Sequence, residues 1–233
     1  MRILAFDSTA ITASVAVAED ERLIAEITLN NGNTHSQTLL PMAESLFRML
    51  DITADDIDLF AVSEGPGSFT GVRIGAATVK GLAFGRDAQC IGVSTLEALA
   101  YNLRGYAGII CPVMNARRSQ VYTAIFESNG EAITRLTEDM AISADELDEK
   151  LASLGKEVRL CGDGIEVALE NFTKTKPQKT PEESTYQSGY SVAMVALSKY
   201  REGVRGNDAT LAPTYLRLSQ AERERLERQQ RGE

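Results

Sequence analysis

The chain has 233 residues, of which 43% are hydrophobic and 24% charged, a composition typical of one large globular domain or two small ones. Its formal net charge is −9, which argues against tight binding of nucleic acid by this chain alone, because such binding requires clustered Lys and Arg. The three cysteines form no CxxC pair, no apolar run is long enough to span a membrane, and no signal peptide is recognisable. We therefore expect buried thiols and a cytoplasmic protein.

The first half of the chain predicts a three-stranded meander followed by alternating helices and strands. The meander strands are expected over residues 2–6, 14–18 and 23–29. The later elements are a helix over 35–50, a strand over 57–62, a glycine-rich helix from about residue 68, a strand over 89–93 and a helix over 94–103. A proline at position 41 is expected to kink the first helix.

The second half repeats this order of elements. Strands are expected over 109–114, 121–126, 131–136 and 157–161, with helices over 143–154, 165–171 and 191–201. The repeat predicts lobes at 1–104 and 105–217, each with a mixed five-stranded sheet covered by helices, and a charged tail at 218–233 that is solvated, frayed or disordered. This α/β architecture resembles the duplicated ribonuclease-H-like, two-lobed fold of the actin and sugar-kinase superfamily.

The glycine-rich stretch over residues 65–85 is the most unusual part of the sequence. Gly67, Gly71 and Gly75 are spaced to share one helix face, and Gly81 and Gly85 form a second pair. A face without side chains indicates a close neighbour, which could be a sheet, another helix or a partner protein. Neither the Walker nor the dinucleotide glycine pattern fits, which favours a tight turn with Ser68 or Thr70 as helix N-cap over a nucleotide contact.

Two other positions carry candidate chemistry. Asp7 ends the first strand, in the turn where the superfamily holds nucleotide phosphates; it could orient Mg²⁺ through water or close an Asx-turn. Together with Ser8, Gly65 and Gly67 it forms the predicted nucleotide-binding set. His35 is the only histidine, so two-histidine metal sites within this chain are excluded, and a polar contact at the helix entrance is favoured.

Four motifs together carry a resemblance to a known family: Asp7-Ser8-Thr9, the segment 33–36, the run GPGSFTGVRIG over 65–75, and Pro213-x-Tyr215-Leu216-Arg217. On these motifs the chain resembles the TsaB (YeaZ) family over residues 1–217. The resemblance implies a required, non-catalytic partner of TsaD in forming N6-threonylcarbamoyladenosine on tRNAs that read ANN codons. It further implies TsaE in the larger complex, contact with tRNA only through that complex, and a homodimer when TsaD is absent.

The same resemblance sets expectations for sites. TsaD holds its metal with two histidines of an HxxxH helix and an aspartate, whereas the residue four after His35 is Leu39, so no catalytic or metal-ligating residue is expected. No cofactor is expected to be required, with ATP or ADP at a subunit interface as an alternative. The family's partner contact implies an interface on the first two long helices, formed by His35, Leu39, Met42, Leu46, Val72, Arg73, Ile74, Gly75 and Val79, unless these face their own sheet.

Two alternative functions are compatible with the residues. One is an independent nucleotide-binding enzyme of the sugar-kinase type, with Glu64 or Asp163 as general base. The other is a hydrolase that pairs Ser8 or Ser36 with His35, although no triad signature surrounds them.

Overall fold

Two mixed β-sheets, each with helices on both faces, make up the computed structural model, which describes residues 1–117 and 119–217. The charged tail predicted over 218–233 lies outside the described residues. In the part of the chain that is described, no helix is both long and apolar enough to cross a membrane.

The first sheet has the five strands and the meander that the sequence predicts. Its strands are β1 (Arg2–Asp7), β2 (Ala13–Glu19), β3 (Arg22–Leu29), β4 (Leu59–Gly65) and β5 (Gln89–Ser94), in the order β3-β2-β1-β4-β5. β1 to β3 run antiparallel, and β4 and β5 are parallel to β1. The central strands are buried on both faces, which explains their nearly continuous apolar sequences.

The helices α1 (His35–Leu50) and α2 (Phe69–Ala83) cover one face of this sheet. A short 3-10 helix, Ala54–Asp56, follows α1 behind the N-cap Thr53. The core beneath α1 and α2 contains Phe6, Phe60 and Val62 from the strands.

The second sheet has seven strands rather than the five predicted. They are β6 (Ala107–Asn115), β7 (Gln120–Thr123), β8 (Phe126–Asn129), β9 (Ile133–Arg135), β10 (Met140–Ser143), β11 (Val158–Cys161) and β12 (Gln178–Lys179). The path β10-β7-β6-β11-β12 repeats the order of the first sheet, while β8 pairs with β6 and β9. The predicted second strand is therefore divided into β7 and β8, the predicted third strand corresponds to β9, and β10 and β12 are additional strands.

A proline explains the division between β7 and β8. β7 and β8 pair with β6 in one continuous register, Val113 opposite Thr123 and Ile110 opposite Phe126, so the gap between them lies opposite Pro112 and its neighbour. Proline has no N–H to donate to the ladder. Thr123 instead donates its hydroxyl to the Pro112 carbonyl at 2.8 Å.

Packing does not follow the predicted lobe boundary at residue 104. The second lobe contains α4 (Ala144–Leu154) and α5 (Ile165–Asn171) on one face of its sheet. Its other face is covered by α3 (Thr95–Tyr101) from the first half, and α6 (Gly189–Arg201) from the second half covers the free face of the first sheet. The prediction that 105–217 forms one lobe is thus corrected, because α6 belongs to the core of the first lobe.

The chain after α6 also returns to the first lobe. We call residues 206–217 the C-terminal strap. The Gly206 carbonyl accepts a hydrogen bond from the Cys90 N–H at 3.0 Å, Leu211 is buried in the core under α1 and α2, and the Thr214 N–H donates to the Glu64 carbonyl at 2.7 Å. The strap ends on the second lobe, where Arg217 donates to the Ala116 carbonyl at 3.0 Å.

Candidate functional site

The Asp7 carboxyl group is fully engaged inside the chain. One oxygen accepts from the Thr9 N–H (2.9 Å) and the Thr9 hydroxyl (2.7 Å), and the other accepts from the Ser63 hydroxyl (2.5 Å). Burial raises the pKa of Asp7 above its ordinary value, although these hydrogen bonds favour the ionised form. Of the two alternatives predicted for Asp7, the structure contains the Asx-turn.

The glycine face of α2 packs against the turn between β1 and β2. A Cβ on Gly71 would lie 2.0 Å from the Ser8 carbonyl oxygen, and one on Gly67 would lie 2.5 Å from that of Thr9. The Ser8 hydroxyl donates to the Gly71 carbonyl at 2.9 Å, and the Ser68 side chain caps the helix by accepting from the Gly71 N–H at 3.3 Å. The close neighbour of this face is therefore the chain's own turn, and Ser68 is the predicted N-cap.

This packing is incompatible with the predicted nucleotide-binding set. Asp7 and Ser8 are buried and bonded within the chain, and Gly65 (φ +121°) lies against the strap, where a Cβ would be 2.3 Å from the Thr214 carbonyl oxygen. Only Gly67 lines the space between the lobes. The prediction is therefore corrected for Asp7, Ser8 and Gly65, because all three are buried against the chain's own turn, helix and strap.

A cleft of about 650 Å³ lies between the two lobes. It is lined by the turn over 9–11, the loop over 66–70, the end of β6 with Arg117, Tyr122, Asp163 and the strap residues 214–217. The strap and α2 form one of its walls through a stacked pair, Phe69 and Tyr215, whose ring centroids are 4.7 Å apart. Arg73 lies over the Phe69 ring at 3.9 Å and donates to the Tyr215 hydroxyl at 2.8 Å.

The two acids considered as general bases occupy different places. Asp163 lines the cleft, and burial raises its pKa even though it accepts a hydrogen bond from the Asn115 N–H. Burial also raises the pKa of Glu64, which does not line the cleft and packs across the backbone of Gly92. No described nucleophile is bonded to either carboxylate.

His35 makes the polar contact that the sequence favours. Its Nε2 donates to the Ala10 carbonyl at 2.6 Å, which ties the start of α1 to the turn after β1. The Ser8 hydroxyl is bonded to Gly71, so it is not paired with His35. Within 1–117 and 119–217, no group of three or more His, Cys, Asp or Glu side chains is arranged to hold a metal ion.

Most of the predicted interface residues lie in the core instead. Leu39, Met42, Leu46 and Val79 are buried in the core between the helices and the first sheet. Val72 is also buried, and Gly75 lies against Ser8 and Val62. The prediction that these six residues form a surface is corrected, because they occupy the sheet-facing stripe of each amphipathic helix. Of the predicted set, Arg73 is exposed, and Ile74 and His35 are half-buried.

A different set of residues faces outward on α2. We call Arg73, Ala77, Gly81 and Phe84 the α2 outer face, since they recur at helical spacing and are exposed. Phe84, which caps the end of the helix, is 74% exposed. Apart from the adjacent residues and the nearby backbone of α2 itself, no atom of the described residues lies within 4 Å of the position of a Cβ on Gly81. On α1, Leu40 and Met49 are the exposed large apolar side chains. Sequence reasoning noted Gly81 but assigned the interface to larger apolar residues.

Comparisons with known proteins agree with this architecture. The model of a family described as "TsaD: tRNA N6-adenosine threonylcarbamoyltransferase" matches residues 22–225. The chain is 34% identical to the tRNA threonylcarbamoyladenosine biosynthesis protein TsaB of Bacillus subtilis (strain 168), over 98% of this chain and 100% of that protein. It is also 34% identical to TsaB of Escherichia coli (strain K12), over 70% of this chain and 72% of that protein.

A solved structure extends the comparison to the fold. A Pseudomonas aeruginosa protein described as similar to peptidase YEAZ superposes with a TM-score of 0.80 at 25% identity, covering 93% of this chain and 99% of that one. The predicted duplicated fold and the resemblance are both confirmed. The chain belongs to the TsaB family of tRNA threonylcarbamoyladenosine biosynthesis proteins.

Proposed function

We propose that this chain is the non-catalytic subunit that binds TsaD and is required for forming N6-threonylcarbamoyladenosine on tRNAs that read ANN codons. TsaE joins the larger complex, and tRNA is reached only through it. The names of the relatives support a role for this chain in the biosynthesis of threonylcarbamoyladenosine. The match to the TsaD family model supports binding between this chain and TsaD as two proteins of related fold.

His35 and Asp7 support a role without chemistry of its own for this chain. Its single histidine is bonded to a backbone carbonyl, and the acid at the end of β1 is enclosed in an Asx-turn. A general acid or base must reach the proton that it transfers, and neither group lines the cleft. A nucleotide at the subunit interface stays a prediction.

The proposal rests on the exposed position of Gly81 in the middle of the α2 outer face. Glycine inside a helix costs about 1 kcal/mol relative to alanine, and Gly71 repays that cost by allowing the Ser8 backbone to approach. Gly81 has no neighbour within the described chain. A partner helix that approaches closely over Ala77 and Gly81 would supply one, and the exposed Phe84 ring would anchor it as an aromatic contact at the interface.

The same surface accounts for self-association. A chain without TsaD leaves the α2 outer face uncovered, so a second copy can occupy it by two-fold symmetry. Homodimer and heterodimer then compete for one surface.

The proposal is tested by reconstitution of the modification. TsaD, TsaE and pre-formed threonylcarbamoyl-adenylate are incubated with an ANN-decoding tRNA, with this chain, without it, and with Gly81→Arg. We expect modification to require the chain and to fall at least about ten-fold with Gly81→Arg, a loss equivalent to roughly 1.4 kcal/mol of binding. The control is Ala152→Arg, an equally exposed helix position on α4. Modification that proceeds equally well without the chain would contradict the proposal.

A further inference from the structure

The rim of the cleft concentrates positive charge on an otherwise acidic chain. Arg117 and Arg217 line the cleft, and Arg73 packs beside it on Phe69 and Tyr215, although the net charge of the chain is −9. The Arg217 guanidinium donates to the Ala116 carbonyl, and that of Arg73 donates to the Tyr215 hydroxyl. Within the described residues, the Arg117 guanidinium makes no hydrogen bond, and none of the three pairs with a carboxylate. Their charge is therefore available to an anionic ligand.

Exposed apolar and aromatic groups stand beside these charges. Tyr215 is 41% exposed even though one of its faces stacks on Phe69, and Ile11, which also lines the cleft, is 57% exposed. Aromatic rings next to arginines are the usual means by which proteins hold unpaired bases, because each base has a face that stacks and each nucleotide has a phosphate.

The interior of the cleft argues against a free mononucleotide. The place for its phosphates is closed by the Ser68 N–H, which donates to the Thr9 carbonyl at 2.7 Å, and by the contact between Gly65 and Thr214. Among the described residues, Asp163 is the one acid that lines the cleft, and it would repel a phosphate placed deeper. A nucleic-acid strand that contacts only the rim, with one base and its flanking phosphates, avoids both the closed interior and the Asp163 carboxylate.

We propose that the cleft rim binds a short single-stranded segment of RNA, with a base on Tyr215 and phosphates on Arg117 and Arg217, when this chain is part of the tRNA-modifying complex. This inference rests on the proposed function. Two or three phosphate contacts cannot hold RNA against the overall negative charge, so the segment binds only when the complex positions it.

Arg117 offers a test that leaves the fold intact. Its side chain makes no hydrogen bond within the described residues, and its φ of 64° lies in the left-handed region, which asparagine tolerates better than arginine. Arg117→Asn therefore removes the charge without straining the backbone. The matched control is Lys176→Asn, an exposed cation on the second lobe that does not line the cleft.

The affinity of an ANN-decoding tRNA for the complex of this chain with TsaD is measured by fluorescence anisotropy over a range of salt concentrations. We expect Arg117→Asn to weaken binding and to reduce the slope of log K against log salt by about 0.7, the value for one phosphate contact to a single strand. Tyr215→Leu should weaken binding about ten-fold with little change in slope. Lys176→Asn should change neither quantity.

Three results would overturn the inference. The first is a tRNA affinity and salt slope that Arg117→Asn leaves unchanged. The second is a loss of TsaD affinity with Arg117→Asn when tRNA is absent, which would make the rim a contact for an acidic segment of the partner protein. The third is a wild-type chain that does not bind TsaD at all. That result would contradict the proposed function as well, whereas a failure of the RNA inference alone leaves TsaD binding intact.

Discussion

At the scale of single residues, glycines that look alike in the sequence serve different purposes. Gly71 is required by the Ser8 backbone, whereas Gly81 faces open space. Both occupy α2, and neither has a positive φ, so only their surroundings distinguish them. Spacing alone predicted that the glycine face meets a close neighbour, but the identity of that neighbour depends on the distant turn after β1.

We predict opposite effects for alanine at these two positions. Gly71→Ala should destabilise the chain by about 1–3 kcal/mol or more, because the new methyl group would meet backbone that cannot move aside. Gly81→Ala should stabilise it by about 0.5–1 kcal/mol through helix propensity. Urea unfolding monitored by circular dichroism measures both, and equal effects of the two substitutions would contradict this interpretation.

The buried Asp7 carboxyl group predicts a specific pH dependence. Because burial raises its pKa in the folded state, the folded protein binds this proton more tightly than the unfolded chain does. Its contribution to stability is therefore greatest below the ordinary aspartate pKa and is lost as pH rises through the raised folded value. Asp7→Asn removes this titration and leaves an oxygen to accept from Thr9.

We expect the free energy of unfolding of the wild type, minus that of Asp7→Asn, to fall as pH increases from about 4 towards neutrality. Denaturant unfolding at a series of pH values measures this difference. A difference that increases over the same range would mean that the hydrogen bonds from Thr9 and Ser63 outweigh burial.

At the scale of elements, α1 was predicted from its apolar stripe and α2 from its glycine-rich stretch, and the structure contains both within a residue or two of the expected positions. Their large apolar residues are almost all used in the core, so hydrophobicity alone did not separate core residues from surface residues. The outward-facing residues of α2 are small apart from Arg73 and Phe84. Gly81 is the unusual residue among them, because no packing contact within the described chain requires a glycine there.

The α2 outer face predicts how the isolated chain associates. If two copies meet across Ala77 and Gly81, an arginine at position 81 places two like charges at the centre of a symmetric contact. Gly81→Arg should therefore sediment as a monomer at concentrations where the wild type is dimeric, while Ala152→Arg should remain dimeric. A dimer that tolerates Gly81→Arg would place self-association on another surface.

At the scale of the whole molecule, the two lobes exchange helices. α3 closes the second sheet and α6 closes the first, and the strap then returns across the cleft to the second lobe. The order of elements and the duplicated fold were predictable because each strand and helix carries its own periodicity. The exchange of helices was not predictable. The apolar face of α6 indicates that the helix is buried, but it does not indicate which of the two sheets the helix covers.

The cleft illustrates the same limit. Asp7, Ser8 and Gly65 were predicted to meet a nucleotide from their position after the first and fourth strands. The actual partners are Thr9 and Ser63 for Asp7 and Gly71 of α2 for Ser8. Gly65 lies against Thr214 of the strap, which is far along the chain. Local sequence indicates which groups end a strand, but only the folded chain determines whether those groups remain accessible.

The central claim is that this chain acts by binding TsaD through the α2 outer face. The most direct test is a calorimetric titration of purified TsaD with the wild type, Gly81→Arg and Ala152→Arg. We predict binding of the wild type and of Ala152→Arg with equal affinity, and a loss of at least about ten-fold for Gly81→Arg with an unchanged unfolding temperature. Equal affinity of all three proteins for TsaD would contradict the claim.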